Sequence, residues 1–175
     1  RISKLTSEIG NIQKTRTLQR LARQRNALPT VALVGYTNAG KSTLFNRLTA
    51  SDVVAQDMLF ATLDPTMRGM TLPSGTKIVL CDTVGFISDL PTELVASFKA
   101  TLEEITEADV VLHIHDAASA EMSSQSRTVQ KILIEIVGEM PSKLYNVLNK
   151  IDLVLDEIPD FGGNSIRISA SNGLG

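Results

Sequence analysis

The sequence has 175 residues, 43% of them hydrophobic and 21% charged, with a formal net charge of −2, a balance that fits one globular domain with a sizeable core and argues against disorder. Its apolar runs fall far short of the roughly 20 residues that span a bilayer, and its opening residues do not resemble a signal peptide. The single cysteine, Cys81, sits in an apolar run and forms no internal disulfide, so a buried thiol and a reducing, cytoplasmic compartment are expected.

Residues 1–25 carry seven Lys or Arg against Glu8 alone, which leaves 10 basic and 18 acidic residues in the remainder. Ile2, Leu5, Ile9 and Ile12 recur at spacings of three and four, the stripe of an amphipathic or coiled-coil helix. The stripe loses register after Ile12, and Gly10 argues against one continuous helix. Lys14, Arg16, Arg20, Arg23 and Arg25 form either a surface for nucleic acid or a solvated helix face. Pro29 ends the segment. Residues 1–28 therefore read as a basic helical remnant of a preceding domain, and residues 29–175 as the globular domain.

That domain opens with an apolar strand, Val31 to Val34, which breaks into Gly35-Tyr36-Thr37-Asn38-Ala39-Gly40-Lys41-Ser42-Thr43 and continues as a helix through Leu44 and Leu48. Strand, glycine-rich loop and helix in this order form a P-loop. A polyphosphate concentrates negative charge, and inward-facing backbone N–H groups at a helix N-terminus answer it at close range. Gly35 and Gly40 let the backbone wrap, Lys41 supplies a point charge for the β- and γ-phosphates, and the Ser42 hydroxyl is a hard oxygen of the kind Mg²⁺ prefers.

Ser51 to Thr66 has no strong periodicity and reads as a long functional loop. Met67–Leu72 and Thr76–Cys81 are β-like runs separated by Pro73-Ser74-Gly75, which predicts a hairpin. The second run delivers Asp82-Thr83-Val84-Gly85. An acidic residue at the carboxyl end of a buried strand beside a P-loop is placed to hold the Mg²⁺ shell, with Asp82 behind the direct ligands, and Gly85 lets its N–H approach a γ-phosphate. Helical spacing returns over Thr92–Ile105, followed by a buried strand at Asp109–Ile114, a helix over Ala117–Glu139, a strand at Leu144–Leu148 and a short strand at Ile166–Ile168. His113 and His115 share one side of their strand, but no further ligand stands at metal spacing, so a buried structural role is expected.

The strand at 144 ends in Asn149-Lys150-Ile151-Asp152, and the last strand ends in Ser169-Ala170-Ser171. One carboxylate accepts both N1–H and N2–H of guanine, a donor pair that adenine lacks, so Asp152 selects guanine. Asn149 is placed to bridge the loops, the Lys150 stem to cover the purine face, and the Ala170 N–H to reach guanine O6. These strands and helices alternate as in an α/β P-loop NTPase: a doubly wound, mostly parallel sheet with one antiparallel edge hairpin and the nucleotide at the carboxyl ends of the strands.

The ordered set Gly-Tyr-Thr-Asn-Ala-Gly-Lys-Ser, Phe60-Ala61-Thr62-Leu63-Asp64-Pro65-Thr66, Asp-Thr-Val-Gly-Phe and Asn-Lys-Ile-Asp resembles the GTPase domain of the HflX family, within the Obg-like GTPases, over about residues 30–171. The resemblance implies a GTPase with Mg²⁺, in which Thr62 joins Ser42 as metal ligand and Phe60–Asp64 line the nucleotide. It also implies a partner, the large ribosomal subunit, a role in splitting or rescuing stalled ribosomes, and a final helix beyond Ser169-Ala170 that this chain lacks. Phe86 stands where many GTPases place a water-orienting Gln, so hydrolysis by the domain alone is expected to be slow. Asn38 matches the position that resembles a K⁺ ligand in potassium-dependent relatives such as the TrmE-like GTPases, the alternative being a purely structural loop residue. Rival readings are an ATPase, which Asp152 opposes, and an RNA-binding module with incidental nucleotide binding.

Overall fold

The computed structural model describes residues 28–50, 66–86, 105–154 and 165–175. The basic segment, the switch loop that includes Phe60–Asp64, and most of the helix expected over Thr92–Ile105 lie outside the described residues. The elements are β1 (Thr30–Gly35), α1 (Lys41–Thr49), β2 (Thr66–Thr71), β3 (Lys77–Asp82), β4 (Val110–Asp116), α2 (Met122–Val137), β5 (Leu144–Asn149), a 3₁₀ turn (Ile151–Leu153) and β6 (Ser165–Arg167).

Six strands form one sheet in the order β2-β3-β1-β4-β5-β6. β1 pairs parallel to both β3 and β4, and the ladder continues parallel through β5 and β6. Among the described strands only β2, joined to β3 by the predicted hairpin, runs antiparallel. Gly75 takes φ +83 in that turn, where its N–H reaches the Leu72 carbonyl at 2.8 Å.

Period-two alternation on β1 sends Ala32 and Val34 to one face and Leu33 to the other. The first face packs with Val84, Phe86, Val111 and, from α2, Val129 and Leu133. The second packs with Leu80, Ile114, Val147 and, from α1, Leu44 and Phe45. Helices on both faces thus bury a sheet whose central strands are largely apolar, His113 and His115 on β4 being buried exceptions. Cys81 is fully buried within β3.

α2 starts five residues later than the expected Ala117. Asp116 Oδ1 accepts the Ala118 N–H at 3.0 Å and Ser119 Oγ accepts the Glu121 N–H at 3.2 Å, so local side-chain bonds hold this stretch in turns. At the other end Gly138, with φ +88, caps the helix by returning its N–H to Ile134. Among the described residues no helix is long and apolar enough to cross a membrane.

Candidate functional site

The carboxyl ends of β1, β3, β4 and β5 converge at one edge of the sheet, where the sequence motifs meet. Gly35 ends β1 so close to β4 that a Cβ there would collide with the Ile114 carbonyl. Gly40, at φ +92, is the residue before α1, and a Cβ on it would run into the Asn149 amide. Gly35 is therefore set by the close approach of β4 backbone, and Gly40 by its left-handed dihedral and the Asn149 side chain. No acidic residue stands in the first turn of α1, and Gly40 brings no side chain to cap it, which leaves that helix end suited to an anion.

Lys41 is buried at the start of α1, and its ammonium donates to the carbonyls of Tyr36 at 2.9 Å and Gly35 at 3.2 Å. Burial pushes its pKa from 10.5 down to about 8, against the opposing pull of Asp82. Ser42 Oγ donates to Asp82 Oδ2 at 2.6 Å. A hydroxyl and a carboxylate brought together beside a phosphate loop are the hard oxygen donors that suit Mg²⁺. Thr83 Oγ1 donates to the Leu33 carbonyl at 2.6 Å, and Val84 and Phe86 enter the core, so Asp82 to Phe86 lies along β1 with Gly85 against Thr37. Asn38 is exposed in the left-handed region at φ +59, Ala39 is buried, and Thr43 continues α1.

On the base side, Asn149 is buried and bridges two loops: Nδ2 donates to the Ala39 carbonyl at 2.9 Å, and Oδ1 accepts the Ala170 N–H at 2.9 Å. A base read by that Ala170 N–H would share the donor with Asn149. Lys150, in the left-handed region at φ +64, pairs with Asp116 at 2.7 Å. Ile151 and Asp152 follow in the 3₁₀ turn, with Asp152 exposed. Ser169 Oγ and Ser171 Oγ stand 3.1 Å apart across the last turn. Asp116 and Arg47 belong to this assembly and the motif reading missed both. Asp116 could have been flagged as an acidic residue at a strand's carboxyl end, but nothing local to Arg47 announces its contacts with Ala170 and Ser171.

His113 and His115 lie side by side on β4 with ring centroids 3.9 Å apart and ring planes tilted by 40°. His115 Nε2 meets Asn146 Oδ1 at 3.0 Å, whereas His113 Nδ1 is buried without a hydrogen bond among the described residues. Burial lowers both pKa values; for His113 the neighbouring His115 and Lys41 push the same way, and for His115 the Asn146 bond opposes it. Both rings are thus held neutral.

Residues 30–150, which hold the P-loop, the Asp-x-x-Gly segment and the start of the Asn-Lys-x-Asp loop, match the family model described as 50S ribosome-binding GTPase. The chain belongs to that family, as a GTPase domain of the HflX type. It is 48% identical over 175 residues to the GTPase HflX of Caldanaerobacter subterraneus subsp. tengcongensis, covering all of this chain and 40% of that protein. Against the GTPase HflX of Escherichia coli it is 45% identical over 182 residues, covering all of this chain and 42% of that one. The chain thus spans about two fifths of the length of these curated relatives. Among solved structures, a GTP-binding protein from Sulfolobus solfataricus in complex with GDP superposes with TM-score 0.67 at 26% identity, over 98% of this chain and 56% of that one.

Proposed function

We propose that this protein binds GTP, hydrolyses it, and uses the difference between the triphosphate and diphosphate states to control binding to the large ribosomal subunit. The observation that carries the guanine reading is the Asn149 bridge, which fixes the loop before Asp152 and the turn at Ala170 onto the phosphate loop at Ala39. Phosphate and base are then read by parts of one rigid assembly. The ribosomal partner rests on the family description, with which the resemblance to the HflX family agrees.

Mg²⁺ fits the donor set: Ser42 would ligate it, with Asp82 holding the Ser42 hydroxyl from behind, and Thr62 is the further ligand that the resemblance implies. The ion would neutralise charge on the β- and γ-phosphates. Lys41 would serve the same phosphate charge with its ammonium, and Gly85 would offer its N–H to the γ-phosphate. Phe86 is wholly buried among Val34, Val111 and Leu133, so its side chain orients no water. Turnover by the protein alone is then slow, and the missing group comes from K⁺ held by Asn38 or from the ribosome.

Affinities for GDP and ADP, followed by GTP turnover with and without large subunits, test the reading. Tighter binding of GDP and acceleration by large subunits are expected. Equal affinity for the two nucleotides would overturn guanine recognition, and a turnover indifferent to large subunits would remove the ribosomal role.

A further inference from the structure

Arg47 lies in the last turn of α1, the helix that Lys41 begins. Its guanidinium straddles two successive carbonyls of the last turn, Nε donating to Ala170 and Nη2 to Ser171 at 2.5 Å each. That turn is closed on itself: the Ser169 N–H donates to Leu174 O, the Gly173 N–H to Ser169 O and the Asn172 N–H to Ser169 Oγ. Gly173, at φ +76, gives the guanidinium its room, because a Cβ there would collide with Nη1 of Arg47. Meanwhile the N–H of Ala170 is taken by Asn149. The peptide groups on both sides of Ala170 are therefore held, one by a side chain from β5 and the other by a side chain from α1.

This closes a ring. From Ala39 the connection passes through Asn149 to Ala170, then through Arg47 back into the helix that starts at Lys41. A planar guanidinium with donors in a fixed fork can hold two neighbouring carbonyls at once, whereas a lysine ammonium offers a single point of charge. We propose that Arg47 is a positioning residue for guanine recognition: acting through Ala170 and Ser171 without touching the nucleotide, it sets the turn that reads the O6 edge of the base. The inference rests on the guanine reading above and deepens it. If Arg47 merely stabilised the fold, its loss would weaken every nucleotide alike.

The test compares three diphosphates on the whole protein: GDP, inosine diphosphate, which keeps O6 but lacks the N2 amine, and 2-aminopurine riboside diphosphate, which keeps the amine but lacks O6. Wild type, Arg47→Lys and Arg47→Met are titrated with each, and thermal unfolding is followed in parallel. Both variants should lose affinity for GDP and inosine diphosphate about tenfold, the worth of one misplaced hydrogen bond, while the 2-aminopurine nucleotide changes less than about twofold. Equal losses for all three, or no loss, would overturn the positioning role. Arg47→Lys retains charge and length and so supplies the folded comparison if Arg47→Met does not fold. Wild type that prefers GDP to ADP while the variants keep the three-way ratio sinks this inference alone; wild type without that preference sinks the guanine reading beneath it.

Discussion

The backbone N–H of Thr37 donates to the carbonyl of Phe86 at 2.8 Å, and the N–H of Phe86 returns to Gly35 O at 3.1 Å. The phosphate loop and the Asp-Thr-Val-Gly-Phe segment are thereby joined by a single parallel bridge between Tyr36 and Phe86. Gly85 is pressed so closely that a Cβ would sit 2.9 Å from Thr37 Cα and 3.1 Å from the Lys41 ammonium. Any γ-phosphate must therefore be accommodated between elements already in contact.

Phe86→Gln follows directly. Installing the water-orienting residue of other GTPases should not raise turnover, because the side chain at this position points into the core beside Val129 and Leu133. It should instead cost about 2–4 kcal/mol through lost apolar burial and a buried amide. Urea denaturation and single-turnover GTP hydrolysis check it; faster hydrolysis in a variant of undiminished stability would contradict the buried placement.

Ser42→Ala removes the hydroxyl that Asp82 holds at 2.6 Å. Mg²⁺-dependent binding of the triphosphate should weaken more than that of the diphosphate, because Thr62 and the γ-phosphate complete the metal shell only in the triphosphate state. Equal losses, measured by titration at saturating Mg²⁺, would count against that coordination.

Asp152→Asn exchanges a carboxylate that accepts two guanine donors for an amide that accepts at one oxygen and donates at its nitrogen. Asp152 is exposed in the 3₁₀ turn, so the substitution leaves the core intact. GTP should bind about tenfold or more weakly while xanthosine triphosphate gains. Unchanged GTP affinity would sink the role of Asp152.

The parts of this molecule legible in the sequence are those whose chemistry is local. Val31 to Val34 announced a buried strand, Pro73-Ser74-Gly75 a hairpin turn, and Gly35 to Ser42 a phosphate loop, since each depends on neighbours in the chain. The start of α2 was not legible, because Asp116 and Ser119 divert the backbone into turns by bonds that helical periodicity does not register. Arg47 was not legible either: its carbonyl partners lie 123 and 124 residues further along the chain. A salt bridge such as Lys150–Asp116 likewise exists only once β4 and β5 lie side by side.

Burial makes the affinity of the site depend on pH through Lys41. Its pKa of about 8 in the free site lies below the ordinary 10.5, so below pH 8 the ammonium is charged in both folded and unfolded chains and its burial cost is fully present. As pH rises from 8 toward 10.5 the folded chain alone sheds the proton, and this residue's contribution to stability improves. Phosphate binding runs the other way, because the ligand requires the charged form. GDP affinity should be flat up to about pH 7.5 and fall by about tenfold by pH 9, with uptake of nearly one proton on binding there. Calorimetry at pH 9 in two buffers of different ionisation enthalpy measures that uptake; none, with a flat affinity, would refute the argument.

Asn38 stands in the phosphate loop between Thr37 and the buried Ala39. At φ +59 it occupies backbone that Asn and Gly tolerate and most residues do not, so loop geometry alone is one reason for its presence. Asn38→Ala would confuse the two roles by straining the loop while removing the side-chain oxygen. Asn38→Gly accepts the same backbone conformation and removes the whole side chain with its oxygen, whereas Asn38→Asp tolerates the conformation and keeps a side-chain oxygen. If K⁺ sits between this side chain and the phosphates, wild-type turnover at matched ionic strength is faster in KCl than in NaCl, the Gly variant loses that difference, and its GDP affinity stays within about threefold of wild type, the loss of one exposed contact. Equal rates in the two salts for wild type, with and without large subunits, would eliminate potassium. Should large subunits also add nothing, the transition-state charge would have to be met from the protein itself, and since the switch loop from Ser51 to Thr66 carries no Lys or Arg, that burden would fall on Lys41 and the bound Mg²⁺.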